Sequence, residues 1–411
     1  MNRSLGLAAY RAFARRQPFN ASAQQPPRPR GELIWAHATN EQRYSALCDL
    51  SLRLRIMRPD LHLLITIEHA RFDPLPAPQN GCDHIVSLDS DHPGTAQGFL
   101  EHWQPDLCLW TGGHLMPNLI AAASEAKLPM ILLDVGESDF PARRYNWLPD
   151  LTGASLACFD TILANTDTAA QMIRNVGVAD AQIRVAARLR SCATPPLCSD
   201  DELAEVTNEI SGRPVWLAAH VAEAEFDAVL DAHRAALRLL HRLLLVLVTH
   251  ADADAEALKR GIVTRNMRSA DWDTGDTIDD NTQIVLSRDA DNLGLWYRLA
   301  PLTFMANSLT PGASGNSPLD AAALGSAVLY GSHVTGHMET YARLAAAGAA
   351  RTVHDSESLG SAVVQLAAPD QAATMALSGW KVVTEGAHMT DELVDMILDQ
   401  LDRGRANHAP T

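Results

Sequence analysis

The stretch LCLWTGGHLMPNLIAAASEAKLPMILLDVG, residues 107–136, contains two short apolar runs on either side of a helical segment. The runs LCLW and MILL are continuously apolar rather than alternating, and glycine or polar residues follow each of them. Continuous runs are typical of strands that are covered on both faces, as in a parallel sheet. A strand, a helix and a second strand in this order indicate part of a doubly wound α/β domain.

The same pattern extends from this stretch in both directions along the chain. Similar apolar runs occupy residues 31–38, 61–68, 83–88, 107–113, 130–136, 160–166, 214–220, 243–250, 282–287, 302–308, 326–331 and 350–355. They form two series, separated by a segment with adjacent prolines and a cluster of acidic residues. We therefore predict an α/β protein of two doubly wound Rossmann-like domains that face a cleft, where ligands bind at the carboxyl ends of the strands.

The chain length of 411 residues also favours two domains, because single domains cluster at about 100–200 residues. A last helix is expected over residues 391–401. The predicted organisation is a basic N-terminal helix and linker (1–30), a first α/β domain (31–190), a linker (191–213), a second α/β domain (214–385), and a C-terminal helix and tail (386–411).

Composition excludes several classes of function. The chain has 33 Lys and Arg against 49 Asp and Glu, a net charge of −16, so it repels phosphate backbones and we expect no nucleic-acid partner. No apolar run approaches the roughly 18–20 residues of a membrane span. The six cysteines form no CxxC pair and no HExxH motif occurs, so we predict no metal site.

The N-terminal segment differs from the rest of the chain because it is basic. Residues 4–16 predict a short helix with an apolar stripe that includes Leu5, Tyr10 and Phe13. Such a helix can lie on an anionic membrane surface, or its arginines can simply face water. The arginines of this segment are Arg3, Arg11, Arg15, Arg16, Arg28 and Arg30.

Two ionisable residues follow the first predicted strand. In IWAHATNEQ, His37 and Glu41 come directly after a buried strand, where a side chain can face the predicted cleft. Glu41 could be a general base that takes a proton from an attacking hydroxyl. It could equally be an acidic residue that the helix dipole favours at a helix N-terminus.

A second candidate site lies in the segment 305–325, MANSLTPGASGNSPLDAAALG. A strand ends near Ser308, a loop of small residues follows, and a helix begins near Pro318. Free amides at such a helix start bind anions, and Asp320 could accept hydrogen bonds from a ribose. The same residues also fit an ordinary strand–helix loop with a serine cap.

Histidines mark further strand ends in the second domain. His220 and His250 each end a predicted strand, and His333 and His337 follow a later one. A single histidine at such a place is more often a hydrogen-bonded loop residue than a ligand. Their spacing shows no metal-binding pattern.

Five segments, taken in order over residues 31–400, resemble the Kdo transferases, which move 3-deoxy-D-manno-oct-2-ulosonic acid (Kdo) from CMP-Kdo to a lipid A precursor. IWAHATNE is similar to the opening strand and catalytic glutamate loop of this family, and LGLWYRLA closely matches another family stretch. The remaining segments are WQPDLCLWTGGHLMPNLI, AAHVAEAE and SGNSPLDAAALGSAVLYGSH.

The resemblance implies a GT-B fold and an inverting, metal-independent transfer with no cofactor besides the donor substrate CMP-Kdo. It implies that Glu41 deprotonates the acceptor hydroxyl, and that the first domain serves the acceptor and the second the donor. The implied acceptor-side residues are His37, Asn40, His114 and Asn118. The implied donor-binding residues are Ser308, Ser314, Gly315, Asn316, Ser317, Asp320, His250 and His220.

The sequence also departs from the family pattern. Gly112 and His114 replace acidic residues, Met116 replaces a tryptophan, and Thr249 stands where the family has an arginine that binds phosphate. A neutral hydroxyl cannot replace that charge. An altered specificity is therefore an alternative, as is a catalytically silent relative that binds a nucleotide sugar or lipid sugar and organises envelope enzymes.

The resemblance further implies where the protein works. We expect a peripheral protein at the cytoplasmic face of the inner membrane, in lipopolysaccharide biosynthesis, held to the anionic surface by the basic N-terminus. A nucleotide-sugar epimerase would share the two-domain architecture but has no supporting motif in this sequence.

Overall fold

A computed structural model describes residues 5–16, 25–72, 76, 79–139, 151–186, 188–191, 193, 195–210 and 212–408 of the chain. The chain divides into two compact units. The first unit is Met1–Cys192 together with His388–Thr411, and the second is Ala193–Ala387.

A seven-stranded parallel sheet forms the centre of the first unit, in the order β3-β2-β1-β4-β5-β6-β7. The strand order reverses direction between β1 and β4, as in doubly wound folds. The strands are β1 (Glu32–His37), β2 (Leu61–Ile67), β3 (His84–Ser87), β4 (Leu107–Thr111), β5 (Met130–Val135), β6 (Thr161–Ala164) and β7 (Ile183–Val185).

The continuous apolar runs of these strands supply two cores. Leu33 and Trp35 pack into the core on one face of the sheet, and Ile34 and Ala36 pack into the core on the other. Because successive side chains of a strand point to opposite faces, a strand between two layers must be apolar throughout.

A second seven-stranded parallel sheet forms the centre of the second unit, in the order β10-β11-β9-β8-β12-β13-β14. Trp216 and Ala218 of its central strand face one core, and Leu217 and Ala219 face the other. The strands are β8 (Val215–Val221), β9 (Leu244–Thr249), β10 (Ser269–Asp271), β11 (Ile284–Ser287), β12 (Leu302–Met305), β13 (Ala327–Tyr330) and β14 (Ala350–Thr352).

Helices connect the strands and cover both faces of each sheet. They are α1 (Leu5–Ala14), α2 (Glu41–Met57), α3 (Pro93–Trp103), α4 (Pro117–Glu125), α5 (Leu151–Leu156), α6 (Asp167–Asn175), α7 (Asp200–Ile210), α8 (Phe226–Leu237), α9 (Ala255–Thr264), α10 (Leu293–Leu299), α11 (Leu319–Ala323), α12 (Met338–Ala346), α13 (Ser356–Leu366) and α14 (Pro369–His408).

The segment 191–213, expected to be a linker, contains the helix α7. Val206 and Ile210 of this helix are buried in a core of the second unit. The acidic cluster at the start of the helix, which suggested a solvated linker, lies where the helix dipole favours negative charge.

Both predicted terminal helices are present in the structure, with different bounds. The expected C-terminal helix over 391–401 is the last part of the much longer α14, which also crosses the boundary between the two units. The N-terminal helix is α1, and Arg11 of this helix donates to Glu125 at 2.9 Å. Arg3 and the linker residues 17–24 lie outside the described residues.

Candidate functional site

His37 ends β1 at the carboxyl edge of the first sheet, and its side chain is fully buried. The imidazole stacks on Trp110 of the neighbouring strand, with ring centroids 3.9 Å apart, and its Nδ1 lies 3.0 Å from Thr66 Oγ1. Burial lowers the pKa of His37, and the nearby Glu68 carboxylate opposes this effect only in part. The ring is therefore neutral at pH 7.

Glu68 follows β2 at the same edge, and it is the ionisable residue that the sequence analysis missed. Its Oε1 lies 3.1 Å from His114 Nε2, 3.8 Å from His37 Nε2 and 3.4 Å from Arg71 Nε. The structure thus brings together two predicted acceptor-side residues, His37 and His114, around a carboxylate. The sequence could have indicated Glu68, because it follows a predicted strand, and polar residues at the ends of neighbouring parallel strands meet at one edge of the sheet.

Asn40 and Glu41 form the start of α2. Asn40 is the N-cap residue, and its Oδ1 accepts a hydrogen bond of 2.9 Å from the Arg43 amide. Glu41 is the first residue of the helix, and it is exposed. This position fits both a base that is open to a substrate and an acidic residue stabilised by the helix dipole.

Arg43, in the first turn of α2, is the centre of a largely buried charge cluster. Its Nε donates to Asp134 Oδ2 at 2.6 Å, and its Nη2 donates to Asp139 Oδ2 at 3.0 Å. A Cβ at Gly112 would lie 2.1 Å from Arg43 Nη1, and a Cβ at Gly113 would lie 2.2 Å from the Asp139 carbonyl oxygen. Because Gly112 and Gly113 of the TGGH sequence have no Cβ, the side chains and backbone of this cluster can pack directly against them.

Asn118 lies in the interior, at the start of α4. Its backbone amide and its Nδ2 donate to Asp91 at 3.0 and 2.7 Å, and only 1% of the residue is exposed. Burial raises the pKa of Asp91 to about 6, although backbone hydrogen bonds from Asn118 and Leu119 oppose the shift. Asn118 therefore holds the loop that contains Asp91 at the N-terminus of α4, where the helix dipole favours the Asp91 carboxylate.

The predicted donor loop after β12 is organised by Glu225, which is fully buried. Its carboxylate accepts hydrogen bonds from the backbone amides of Asn307, Ser308 and Leu309 at 2.5, 2.8 and 2.5 Å, and from Thr310 at 3.3 Å. The backbone amides at this strand end thus converge on one anion-binding position, and the Glu225 carboxylate occupies that position.

The side chain of Ser308 also forms hydrogen bonds within the second unit. Its hydroxyl donates to the Met305 carbonyl at 2.6 Å and accepts from the Gly331 amide at 2.8 Å, and the residue has no exposed surface. The expectation that the Ser308 amide is free to bind a phosphate therefore does not hold in this structure, because Glu225 occupies that amide.

The segment 314–316 lies against the same loop through backbone contacts. The Gly315 amide donates to the Asn307 carbonyl at 3.1 Å, and the Asn316 carbonyl accepts from the Tyr341 hydroxyl at 2.7 Å. The Ser314 carbonyl accepts a hydrogen bond of 3.0 Å from the Gly336 amide, which follows β13. Gly315 has a φ of 74°, so a left-handed backbone brings this segment close to the loop.

Ser317 and Asp320 stand at the start of the short helix α11. The Ser317 hydroxyl accepts from the Leu319 amide at 3.5 Å, and Asp320 is the second residue of the helix. Both side chains are partly exposed. The N-cap residue of α11 is Pro318, which has no side-chain cap, so the serine cap that was considered as an alternative is absent and Ser317 lies one residue before it.

His220 and His250 lie together at the carboxyl edge of the second sheet. Burial and the nearby His250 lower the pKa of His220 to about 4, so His220 is neutral at pH 7. His220 has a φ of 58°, and Asn307 at the end of the adjacent strand has a φ of 56°. Non-glycine residues in the left-handed region are uncommon and cluster at functional sites.

An open groove of about 480 Å³ lies elsewhere in the first unit, between α14 and the strands β5 to β7. Its walls include Leu163, Val185, Met396 and Arg403. Among the described residues, no predicted site residue lines it, and no group of three or more His, Cys, Asp or Glu side chains anywhere is placed to hold a metal ion.

The chain thus consists of two doubly wound parallel α/β units, as do proteins of the GT-B class, with ionisable residues at the carboxyl edges of both sheets. Residues 11–192 match the family model described as 3-deoxy-D-manno-octulosonic-acid transferase (kdotransferase). Over this part of its length the chain is similar to the Kdo transferases.

Two proteins that are similar to the chain over most of its length carry the same description. It is 24% identical over 412 residues to the 3-deoxy-D-manno-octulosonic acid transferase of Haemophilus influenzae, with 95% of this chain and 92% of the relative covered. It is 26% identical to the transferase of that name from Bordetella pertussis, with 76% and 74% covered.

Solved structures with similar folds include the C-terminal CMP-Kdo binding domain of WaaA from Acinetobacter baumannii. That domain is 19% identical to the chain, with a TM-score of 0.42, and the match covers 44% of this chain and 96% of the domain. A glycosyltransferase from Rickettsia africae is 12% identical, with a TM-score of 0.44, and the match covers 90% of this chain and 99% of that one.

Proposed function

We propose that this protein transfers Kdo from CMP-Kdo to a lipid A precursor, with inversion at the anomeric carbon and without a metal ion. The observation that carries the proposal is the family match over residues 11–192 together with a Kdo transferase relative that aligns with 95% of the chain. Two Rossmann-like units, one for each substrate, suit a transfer between a nucleotide sugar and a second sugar.

On the acceptor side, Glu41 is proposed to act as the general base. Its exposed carboxylate takes the proton of the acceptor hydroxyl as the hydroxyl oxygen attacks the anomeric carbon of Kdo. The bond from that carbon to the phosphate oxygen breaks, and CMP leaves with the bonding electron pair. One displacement from the opposite side inverts the configuration.

On the donor side, the second unit is proposed to hold CMP at the carboxyl ends of its strands. His220 and His250 lie at this edge, and Asp320 is placed to accept hydrogen bonds from the ribose. Glu225 fixes the 307–310 loop that borders the site. Stabilisation of the leaving phosphate then depends on the 314–317 segment and the edge histidines.

The direct test incubates the purified protein with CMP-Kdo and a lipid A precursor. We expect release of CMP and an acceptor whose mass increases by one Kdo, at the same rate in EDTA. Glu41→Gln should lower the rate by about 10²–10⁴-fold, the usual contribution of a general base, with unchanged CMP affinity in calorimetry. The exposed Glu101→Gln on α3 is the matched control, and equal rates in both variants would exclude Glu41 as the base.

A second candidate function is a catalytically silent relative that binds a nucleotide sugar or lipid sugar. Two observations favour it. Thr249, at the place of the family's phosphate-binding arginine, is buried at the end of β9, and the nearby amides of Asn307 and Ser308 are already taken by Glu225. Such a protein would bind CMP in calorimetry but release none from CMP-Kdo.

We also propose a peripheral location at the cytoplasmic face of the inner membrane. No helix in the described part of the chain is long and apolar enough to span a bilayer. The support is the basic N-terminal helix, on which the apolar side chains of Leu5 and Phe13 are 87% and 53% exposed. Exposed apolar side chains beside arginines suit the surface of an anionic membrane.

A further inference from the structure

The two oxygens of the Glu68 carboxylate lie in different surroundings. Oε1 is buried and faces His114, His37 and Arg71 at 3.1 to 3.8 Å. The distances given above for His114, His37 and Arg71 are all to Oε1, no described residue donates a hydrogen bond to Oε2, and 15% of the side chain is exposed. One oxygen is thus held by the protein, and the other is available to a ligand.

His37 and His114 fix the direction in which Glu68 points. The stacking of His37 on Trp110 and its contact with Thr66 hold that ring in place, and its buried Nε2 lacks a hydrogen-bond partner within the described chain. His114 is anchored through its carbonyl, which accepts from Trp110 Nε1 at 3.0 Å. A carboxylate held between rigid groups is preorganised for binding.

The charges around Glu68 determine what this carboxylate can do. Burial alone would raise the pKa of Glu68, but the adjacent imidazoles of His114 and His37 and the charge of Arg71 outweigh it, so the pKa lies well below its usual range. A carboxylate of very low pKa is a poor proton acceptor, but it remains ionised and accepts strong hydrogen bonds. Glu68 is therefore suited to binding rather than to general base catalysis.

The place of Glu68 in the fold connects it with the acceptor. His37 ends β1, Glu68 follows β2, and His114 follows β4, so three neighbouring strand ends converge on one carboxylate. Glu41, the proposed base, starts the helix that follows β1 at this same edge. Ligands of doubly wound sheets bind at the carboxyl ends of the strands.

We propose that Glu68 is an acceptor-binding residue whose Oε2 accepts a hydrogen bond from a sugar hydroxyl of the acceptor. This inference rests on the proposed function and adds a residue to its acceptor side. Because a carboxylate repels phosphate, Glu68 would bind an unphosphorylated part of the acceptor sugar. His37 and His114 act through Glu68 and are positioning residues.

The test compares Glu68→Gln with the control Glu101→Gln in steady-state transfer from CMP-Kdo to a lipid A precursor. A hydrogen bond to a charged group contributes about 1.5–3 kcal/mol, so Glu68→Gln should raise the KM for the acceptor about ten- to hundredfold. The KM for CMP-Kdo should stay unchanged in both variants. An acceptor KM in Glu68→Gln equal to that of Glu101→Gln would overturn the inference while the proposed function stands.

A second variant separates binding from folding. His114→Gln leaves Glu68 in place and alters a partly exposed side chain, so it should fold and raise the acceptor KM by a smaller factor than Glu68→Gln. Circular dichroism and thermal unfolding check that each variant is folded. If Glu68→Gln does not fold, an unchanged acceptor KM in His114→Gln overturns the inference. A wild-type protein that transfers no Kdo contradicts the proposed function and, with it, this inference.

Discussion

At the scale of single residues, Glu225 shows how a buried charge can organise a loop without a cationic partner. Its carboxylate binds amides of the 307–310 loop, and it stands directly before α8, whose dipole favours negative charge. In the part of the chain that the structure describes, no Lys, Arg or His forms an ion pair with it. Backbone dipoles therefore replace a counter-ion at this position.

We predict that Glu225→Gln weakens both the second unit and its binding of CMP. The glutamine amide would present a donor to backbone donors and would remove the charge, at a cost of about 2–4 kcal/mol in the free energy of unfolding. Urea denaturation and CMP calorimetry would measure the two effects. The exposed Glu223→Gln, two residues earlier, is the control, and equal stability of both variants would contradict this role for Glu225.

The sequence indicated the candidate site only in part, for a physical reason. His37 and Glu41 could be found because they follow a clear strand signal. Glu68 follows an equally clear strand, but its importance depends on His114, which is 46 residues further along the chain (114 − 68 = 46) and meets it only in the folded sheet. The role of Glu225 could not be predicted for the same reason, because its partners are backbone amides, which have no sequence signature.

At the scale of secondary-structure elements, the apolar runs predicted most of the strands. Every apolar run expected to be a strand is one in the structure. The strands β7 (Ile183–Val185) and β10 (Ser269–Asp271) were missed. Both have three residues and lie at sheet edges, so they are covered less and need no long apolar run.

The helix α14 contributes to the first unit through its last turns. Leu393, Ile397 and Leu401 recur at helical spacing and are buried in the same core as Ile34 and Ile65. Arg53 of α2 donates to Asp391 at 2.5 Å, and Arg58 donates to Asp402. The pattern of apolar residues identified this part of the helix, but the polar turns before it left the helix start at residue 369 unrecognised.

We predict that Ile397→Ala destabilises the first unit by about 2–5 kcal/mol, because it leaves a cavity in a closed core. Leu377→Ala, at a site of the same helix that is 55% exposed, should change stability by less than about 0.5 kcal/mol. Thermal and urea unfolding would compare the two variants. Similar stability of both would show that α14 does not complete this core.

At the scale of the whole molecule, the charge distribution favours one orientation at a membrane. The chain carries a net charge of −16, yet two exposed arginines, Arg15 and Arg16, directly follow the helix α1. An acidic body is repelled by an anionic bilayer, so binding must occur through the basic segment.

We predict that the protein sediments with vesicles that contain phosphatidylglycerol, and that it sediments less in high salt. Each arginine near an anionic surface contributes about 1 kcal/mol, so the double variant Arg15→Gln/Arg16→Gln should lower the partition coefficient about tenfold or more. Arg238→Gln/Arg351→Gln, with the same change of charge in the second unit, is the control. Equal partitioning of the two double variants would contradict a membrane role for the N-terminus.

The first unit consists of two pieces of chain, Met1–Cys192 and His388–Thr411, and the whole second unit lies between them in the sequence. A ribosome therefore makes the residues that close the Ile397 core only after it has made the whole second unit. During synthesis the second unit can reach its native state while the first still exposes an apolar surface. Chaperones would then bind the nascent chain at that surface until residues 388–411 have been made.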